Sequence, residues 1–332
     1  MFFHIRRTAV CAVLASMSVV QAGTVSLTSA PISGPTGIAG TDSFLYRFDA
    51  PNTLTQILDG SVPLSTILLG GPPTGLDPAA PKGNVELFAN SENNSFDDPS
   101  SIGAFRNAAR TSFSGSLQGV PITVSSLNGN DWFNTPGPFD NTYAGSGTSS
   151  TLAQKWFNDF FVFYNFDGVL TSAGVSAGTI VTERQTIFAL LRDQQHGLAR
   201  ISDPNVSYVN QDDVTNVVSI GLAGTQAYLK NNVLAYIASS PNLTNTQKAQ
   251  VGATVNAMTI DASELVRIEY NGAAPQFLYG FTAASTSLST TDPTESYSQN
   301  FNLTFQGVPE PASLGLMAMG ALGLIRRSRR DR

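Results

Sequence analysis

The 332-residue chain carries 24 acidic against 18 basic residues, two histidines and one cysteine. Seven of the 18 basic residues lie in the two ends, so Gly23 to Val308 holds 22 acids against 11 bases, a net charge of −11. This acidic, Gly/Ser/Asn-rich body excludes nucleic acid as a partner and disfavours anionic lipid, and the scarcity of Cys and His excludes disulfide staples, thiol catalysis and the usual zinc or iron sites.

The chain opens on "MFFHIRR", whose Arg6 and Arg7 give a positive n-region, followed by the apolar "TAVCAVLASMSVV". Small residues at Val20 and Ala22 complete the pattern of a secretory signal peptide over residues 1–22, cut between Ala22 and Gly23. The secretion translocon and signal peptidase are the partners this implies. Cleavage would remove Cys11 and His4 and leave His196 as the only histidine of an exported body, residues 23–307.

The first chemistry-bearing stretch of the body is "NSENNSFDD", where Asp97 and Asp98 stand among amide oxygens that suit calcium. Next, "TSFSGSLQGVPITVSSL" alternates with period 2 on both sides of Gln118-Gly119 and predicts a hairpin with Phe113 and Leu117 facing Ile122 and Val124. Trp132, Phe133 and Phe139 follow among Gly, Pro and Asn, and read either as loop anchors tucked into the core or as a sugar-binding surface.

Helix signals start at Thr151. Thr151-x-x-Gln154, Thr182-x-x-Gln185 and Thr244-x-x-Gln247 each match a capping box, in which a Ser/Thr side chain and a Glu/Gln three residues on satisfy each other's backbone donors. After the first, Leu152, Trp156, Phe160 and Phe163 or Tyr164 recur at helical spacing; after the second come Ile187, Leu190 and Leu191, and after the third Val251, Val255 and Met258. "GTQAYLKNNVLAYIAS" reads as one more helix. "GVSAG", Gly174 to Gly178, matches the Gly-x-Ser-x-Gly elbow of hydrolases, but Asp193 reads on the same helix as His196 where such enzymes use separate loops, and Asp203 and Asp213 follow His196 against the Ser-Asp-His order.

"VSYVNQDDVTNVVSIGLAG" predicts a hairpin turning around Asp212 and Asp213, a second weak calcium candidate. "ELVRIEYNGAAPQFLYGF" predicts another around Asn271-Gly272, and "YSQNFNLTF" a last strand. The fold class expected is α+β: an antiparallel, β-rich, sandwich-like domain with three to four helices in the middle of the chain, followed by one short C-terminal transmembrane helix.

The chain ends "VPEPASLGLMAMGALGLIRRSRRDR". Pro309 and Pro311 bar a helix from continuing out of the body. The apolar run 312–325 is short for a membrane span, about 21 Å as a helix against about 30 Å of hydrocarbon. Arg326, Arg327, Arg329 and Arg330 would orient it with its end in the cytoplasm.

Tail 308–332 resembles the PEP-CTERM sorting signal of Gram-negative bacteria, in which Val-Pro-Glu-Pro precedes a short Gly/Ala/Leu-rich helix and an arginine cluster. The resemblance implies that Pro309, Glu310 and Pro311 carry recognition by exosortase, a membrane-embedded, transpeptidase-like enzyme. It implies transient inner-membrane anchoring and then delivery to the cell surface or beyond. The stretch 127–224 also resembles, more distantly, other exported PEP-CTERM proteins without assigned activity.

Together these readings lead us to expect a non-enzymatic protein of the cell surface or of an exopolysaccharide and biofilm matrix, with exopolysaccharide as its partner. No catalytic residue and no cofactor is expected, calcium being the one ion that the acidic turns could serve. The alternative is a secreted carbohydrate-binding or carbohydrate-active protein using the same address, with or without calcium.

Overall fold

A computed structural model describes residues 25–28, 43–49, 53–57, 64–68, 83–87, 105, 108–133, 151–193, 198, 201–212, 215–223, 227–285 and 299–307. The strands are β1 Val25–Thr28, β2 Ser43–Asp49, β3 Thr53–Ile57, β4 Gly83–Leu87, β5 Ser112–Leu117, β6 Val120–Ser125, β7 Asn205–Gln211, β8 Val217–Ala223, β9 Val266–Tyr270, β10 Gln276–Leu278, β11 Ala284–Ser285 and β12 Gln299–Gln306. The helices are α1 Leu64–Leu68, α2 Gly129–Phe133, α3 Leu152–Phe163, α4 Phe166–Ser172, α5 Ala177–Asp193, α6 Ala227–Ser239 and α7 Asn245–Ala257.

The strands form two wholly antiparallel sheets, one in the order β1-β5-β6-β9-β10 and one in the order β11-β12-β8-β7-β4-β2-β3. Alternation turns one face of each sheet inward. Phe113, Leu117, Ile122, Val124, Val266 and Ile268 of the first sheet meet Val85, Val206, Val209, Ile220, Leu222 and Phe301 of the second, and Leu64, Ile67 and Leu68 of α1 join the same core. The predicted turn at Gln118-Gly119 holds, but Ile122 lies opposite Gly115 and not opposite Phe113 or Leu117. Phe113 pairs with Val124 and Leu117 with Val120, across a turn in which Gln118 and Gly119 take φ of 51° and 85°. That left-handed pair is what a two-residue hairpin needs to match the strands' twist.

A second core is helical and aromatic. Trp132, Trp156, Phe157, Phe160, Phe161 and Phe188 are buried together with Leu229, Val233, Val251 and Val255. The α+β class and the sandwich stand, but the helix number does not. Five helices lie between residues 152 and 257 among the described residues, and α1 and α2 come before them. The helix missed in the middle is α4, which starts from Asn165 at φ 50° with no side-chain cap, so it lacks the Ser/Thr signal that marks its neighbours. The predicted membrane helix 312–325 lies outside the described residues, and no described helix is long and apolar enough to cross a membrane.

Two of the three threonines cap a helix as read, and one of the two, Thr244, does so in a full capping box. Thr151 accepts from the Gln154 amide at 3.2 Å, and Thr244 and Gln247 satisfy each other reciprocally at 3.3 and 3.0 Å. Thr182 instead sits inside α5, its hydroxyl donating back to the Gly178 carbonyl at 3.2 Å. The true cap is Ser176, one turn and a half earlier, whose Oγ accepts from the Thr179 amide at 3.2 Å.

Strand register divides the sandwich into two poles. At one pole lie the start of β1, where Val25 pairs with Leu117, the Gln118-Gly119 turn, the end of β9, the β7–β8 turn and Gly307. Tyr270 bolts the sheets together there, meeting Phe305 edge-on at 5.5 Å and donating its hydroxyl to Gln211 Oε1 at 3.4 Å. At the opposite pole the chain passes into the helices: the Leu127 amide donates to Ser202 O and the Leu265 amide to Ile201 O, at 3.1 and 2.7 Å. Leu127, Ile201 and Leu265 all belong to the helical core.

One strand glycine is a packing requirement. Tyr208 pairs with Gly221 beside a bulge in β7, and its hydroxyl donates to Asn302 Oδ1 at 2.8 Å in β12. Its ring therefore lies across β8 at Gly221, where an added Cβ would fall 2.1 Å from Tyr208 Cε1. Gly221→Ala should cost about 1–3 kcal/mol through overpacking. Gly252→Ala, in α7 with nothing within 4 Å of the new methyl, should instead gain about 0.4–1 kcal/mol. Urea denaturation of the two variants beside the parent checks the opposite signs.

Candidate functional site

The structure disposes of several sequence candidates. Trp132 and Phe133 are 0% and 2% exposed, and the Trp132 indole donates to Ser202 Oγ at 2.7 Å, so they are core anchors and not a sugar-binding surface. Phe139 lies outside the described residues. The Gly174–Gly178 motif runs between α4 and α5, helix to helix, whereas a nucleophile elbow needs a strand leading into it. Ser176 in that motif spends its Oγ on the α5 cap and on the Thr179 hydroxyl, 2.9 Å away. His196 is outside the described residues.

Of the calcium candidates, Asp97, Asp98 and Asp213 also lie outside them. Asp212 Oδ1 accepts from the Thr215 amide at 2.7 Å and closes the β7–β8 turn, a local backbone role. Among the described residues no group of three or more His, Cys, Asp or Glu side chains is placed to hold a metal. Ala22, Gly23, Pro309, Glu310, Pro311, Arg326, Arg327, Arg329 and Arg330 are likewise outside the described residues.

The surface feature that stands out is an aromatic ledge at the helical pole. It starts from α3, whose inward stripe of Ala153, Trp156, Phe157, Phe160 and Phe161 is buried while Lys155, Asp159, Val162 and Phe163 point outward. Phe163 is 52% exposed and Val162 68%. The chain leaving β10 crosses this face, with Tyr279 and Phe281 half-buried. Phe281 sits 5.4 Å from Phe163, 5.8 Å from Tyr279 and 5.9 Å from Phe160, so it joins the ledge to the core below.

A polar edge borders the rings. Lys155 donates to Asp159 Oδ2 at 2.5 Å and to the Tyr279 hydroxyl at 2.9 Å, and Tyr279 donates to Asp159 Oδ2 at 2.6 Å. Burial and the Asp159 hydrogen bond push the Tyr279 phenol up to about 12. Burial pulls the Lys155 ammonium down, but its bonds to Asp159 and Tyr279 outweigh this and hold it above its ordinary value. The edge therefore keeps a neutral phenol and an ammonium at physiological pH, both bonded to Asp159, next to an apolar shelf. Large exposed aromatic patches rimmed by polar groups mark binding surfaces. The sequence signal for it was the competition between Phe163 and Tyr164 for one inward position. Tyr164 takes that place, 7% exposed, and Phe163 is left outside.

Two outcomes test these assignments. Ser176→Ala should cost about 0.5–2 kcal/mol by loss of the helix cap, with any ester turnover by the preparation unchanged; a collapse of such turnover at unchanged stability would restore the elbow. Burial also lifts Tyr164, Tyr208 and Tyr236 above their ordinary 10, Tyr164 and Tyr236 to about 12. The folded state then keeps protons that the unfolded chain releases, so stability is intact below pH 10 and is lost as pH climbs through about 12. Melting temperatures measured across pH 9–12 should fall steadily above 10.

No curated protein and no solved structure matches the chain. Residues 307–330 match the PEP-CTERM protein-sorting motif. The match begins at Gly307, where the described body ends, and contains Pro309, Glu310, Pro311 and the arginines Arg326 to Arg330. The chain thus carries the address of an exported protein that exosortase processes and that reaches the cell surface or the extracellular space.

Proposed function

We propose that the body is a non-catalytic component of a polysaccharide-rich cell surface or matrix, and that it holds exopolysaccharide on the Phe163–Tyr279–Phe281 ledge. The apolar run 312–325 keeps it at the inner membrane until its tail is processed. The observation that carries the reading is the ledge itself: three exposed or half-exposed rings, Phe163 and Tyr279 each packed on Phe281, bordered by a locked Lys155–Asp159–Tyr279 edge. Sugar rings present apolar C–H faces with hydroxyls around the rim, so a shelf of aromatics offers area and the polar edge offers orientation. The acidic body suits a neutral or cationic polymer better than a polyanion.

The site also lies at the pole opposite Val25 and Gly307, which supports an outward-facing role while the chain is still tethered. Binding in this reading needs neither metal nor cofactor. Phe163→Ala removes an exposed ring that the core does not need. It should lower the melting temperature by only a few degrees, through its contacts with Tyr164 and Phe281, and weaken retention by the producing cell's purified polysaccharide about five- to tenfold, as loss of roughly 1 kcal/mol of stacking requires. Chelator should change nothing. Equal retention of the variant and the parent would sink the ledge, and release of new reducing ends from the polymer would sink the non-catalytic reading.

A further inference from the structure

The last described residue, Gly307, is not a loose end. Its amide donates to the Asn216 carbonyl at 2.9 Å, and the preceding Gln306 side chain donates to the Thr215 carbonyl at 2.8 Å. Gly307 is buried, and a Cβ there would come within 2.6 Å of Asn216 O and 3.2 Å of the Tyr270 hydroxyl. β12 is thus pinned to the β7–β8 turn up to the residue where the sorting motif begins.

Chain geometry then limits the spacing. Pro309 lies two residues beyond Gly307 and cannot be more than about 7 Å from it. The apolar run starts at Ala312, five residues beyond and at most about 18 Å away. An enzyme that encloses the Pro-Glu-Pro stretch at this distance from a folded domain has to touch that domain.

We infer that the pole of the sandwich formed by Asp212, Thr215 and Asn216 between β7 and β8, the β9–β10 turn and Gly307 is a docking surface for the extracytoplasmic face of the sorting enzyme. This rests on the motif being read by exosortase. Its chemistry fits a protein partner in preference to a lipid surface. Thr215, Asn271, Ala273, Ala274 and Pro275 are exposed there, small and uncharged, and Asp212 lies beside them. Among the described residues of the two turns there is no Lys or Arg, so they offer nothing to anionic headgroups, which reward basic residues. Short turns without basic residues and with hydrogen-bonding edges suit a close, flat protein contact.

The test uses the full chain, co-expressed with affinity-tagged exosortase, with a photo-crosslinking residue placed singly at Val308, Thr215, Ala274 or Val162. Capture of the tagged enzyme is expected from Val308, Thr215 and Ala274, at least fivefold above Val162 at the far pole. Strong capture from Val308 with Thr215 and Ala274 no better than Val162 would overturn the docking surface while leaving the address intact. No capture from any position, Val308 included, would overturn the exosortase reading and the docking with it. Ten Gly/Ser residues inserted between Gly307 and Val308 should abolish capture from Thr215 and spare capture from Val308. Undiminished Thr215 capture in that variant would overturn the spacing argument.

Discussion

The parallel stack of Trp156 on Phe160, with centroids 5.4 Å apart and planes 10° from parallel, is the contact from which the helical half of the molecule is organised. Trp132 meets Trp156 edge-on at 6.4 Å and brings in α2, Phe166 reaches Phe160 from α4, and Phe281 covers both rings from the β10 side. Ring pairs of this kind contribute about 0.5–1.5 kcal/mol each beyond their buried area. An exported body without cysteine has no disulfide to replace them. The same stack fixes the height of Phe281, and so the ledge above it exists because the core below it is aromatic.

The join between helices and sandwich is polar, and equally specific. Arg110 grips the buried Asp131 with two bonds of 2.7 and 2.8 Å, and Arg267 approaches the same carboxylate at 3.5 Å. Asp131 also accepts from the Asn128 amide at 3.0 Å. Arg110 precedes β5, Arg267 belongs to β9 and Asp131 to α2, so one carboxylate ties the strands on either side of β6 to the start of the helical layer. A buried carboxylate needs such partners to offset its lost hydration. Trp132 follows directly, and the ion pair thereby sets where the first ring of the aromatic core is planted.

What the sequence made legible was whatever is decided by near neighbours. The Gln118-Gly119 and Asn271-Gly272 turns could be read because left-handed backbone selects those residue types; Asn271 and Gly272 take φ of 54° and 67°. The Thr151 and Thr244 caps could be read because a cap reaches only three residues. Thr182 misled for the same reason: its pattern is right, but it sits a turn and a half inside a helix that Ser176 had already started, and local rules cannot see that. The helix α4 was hidden because Asn165, not Ser or Thr, starts it, its side chain folding back over Gly168 where a Cβ would be only 2.4 Å away. The exposure of Phe163 and the burial of Trp132 are tertiary facts, set by which rings Phe281 and Ser202 meet from far along the chain.

A binding surface gains from being ordered before its ligand arrives, since each side chain immobilised on binding costs about 0.5–1.5 kcal/mol. On this ledge most of that ordering is complete. The Tyr279 hydroxyl is held by Lys155 and Asp159 together, and the Phe281 ring is confined by Trp156, Phe160, Phe163 and Tyr164. Phe163, with half its surface in solvent, is the member left free to adjust. A shelf with two fixed rings and one adaptable ring would suit the polymer we propose for it, whose successive sugars present similar faces in slightly different settings. Fixing all three would favour one geometry of the chain over the rest, and freeing all three would spend the stacking energy on ordering the site.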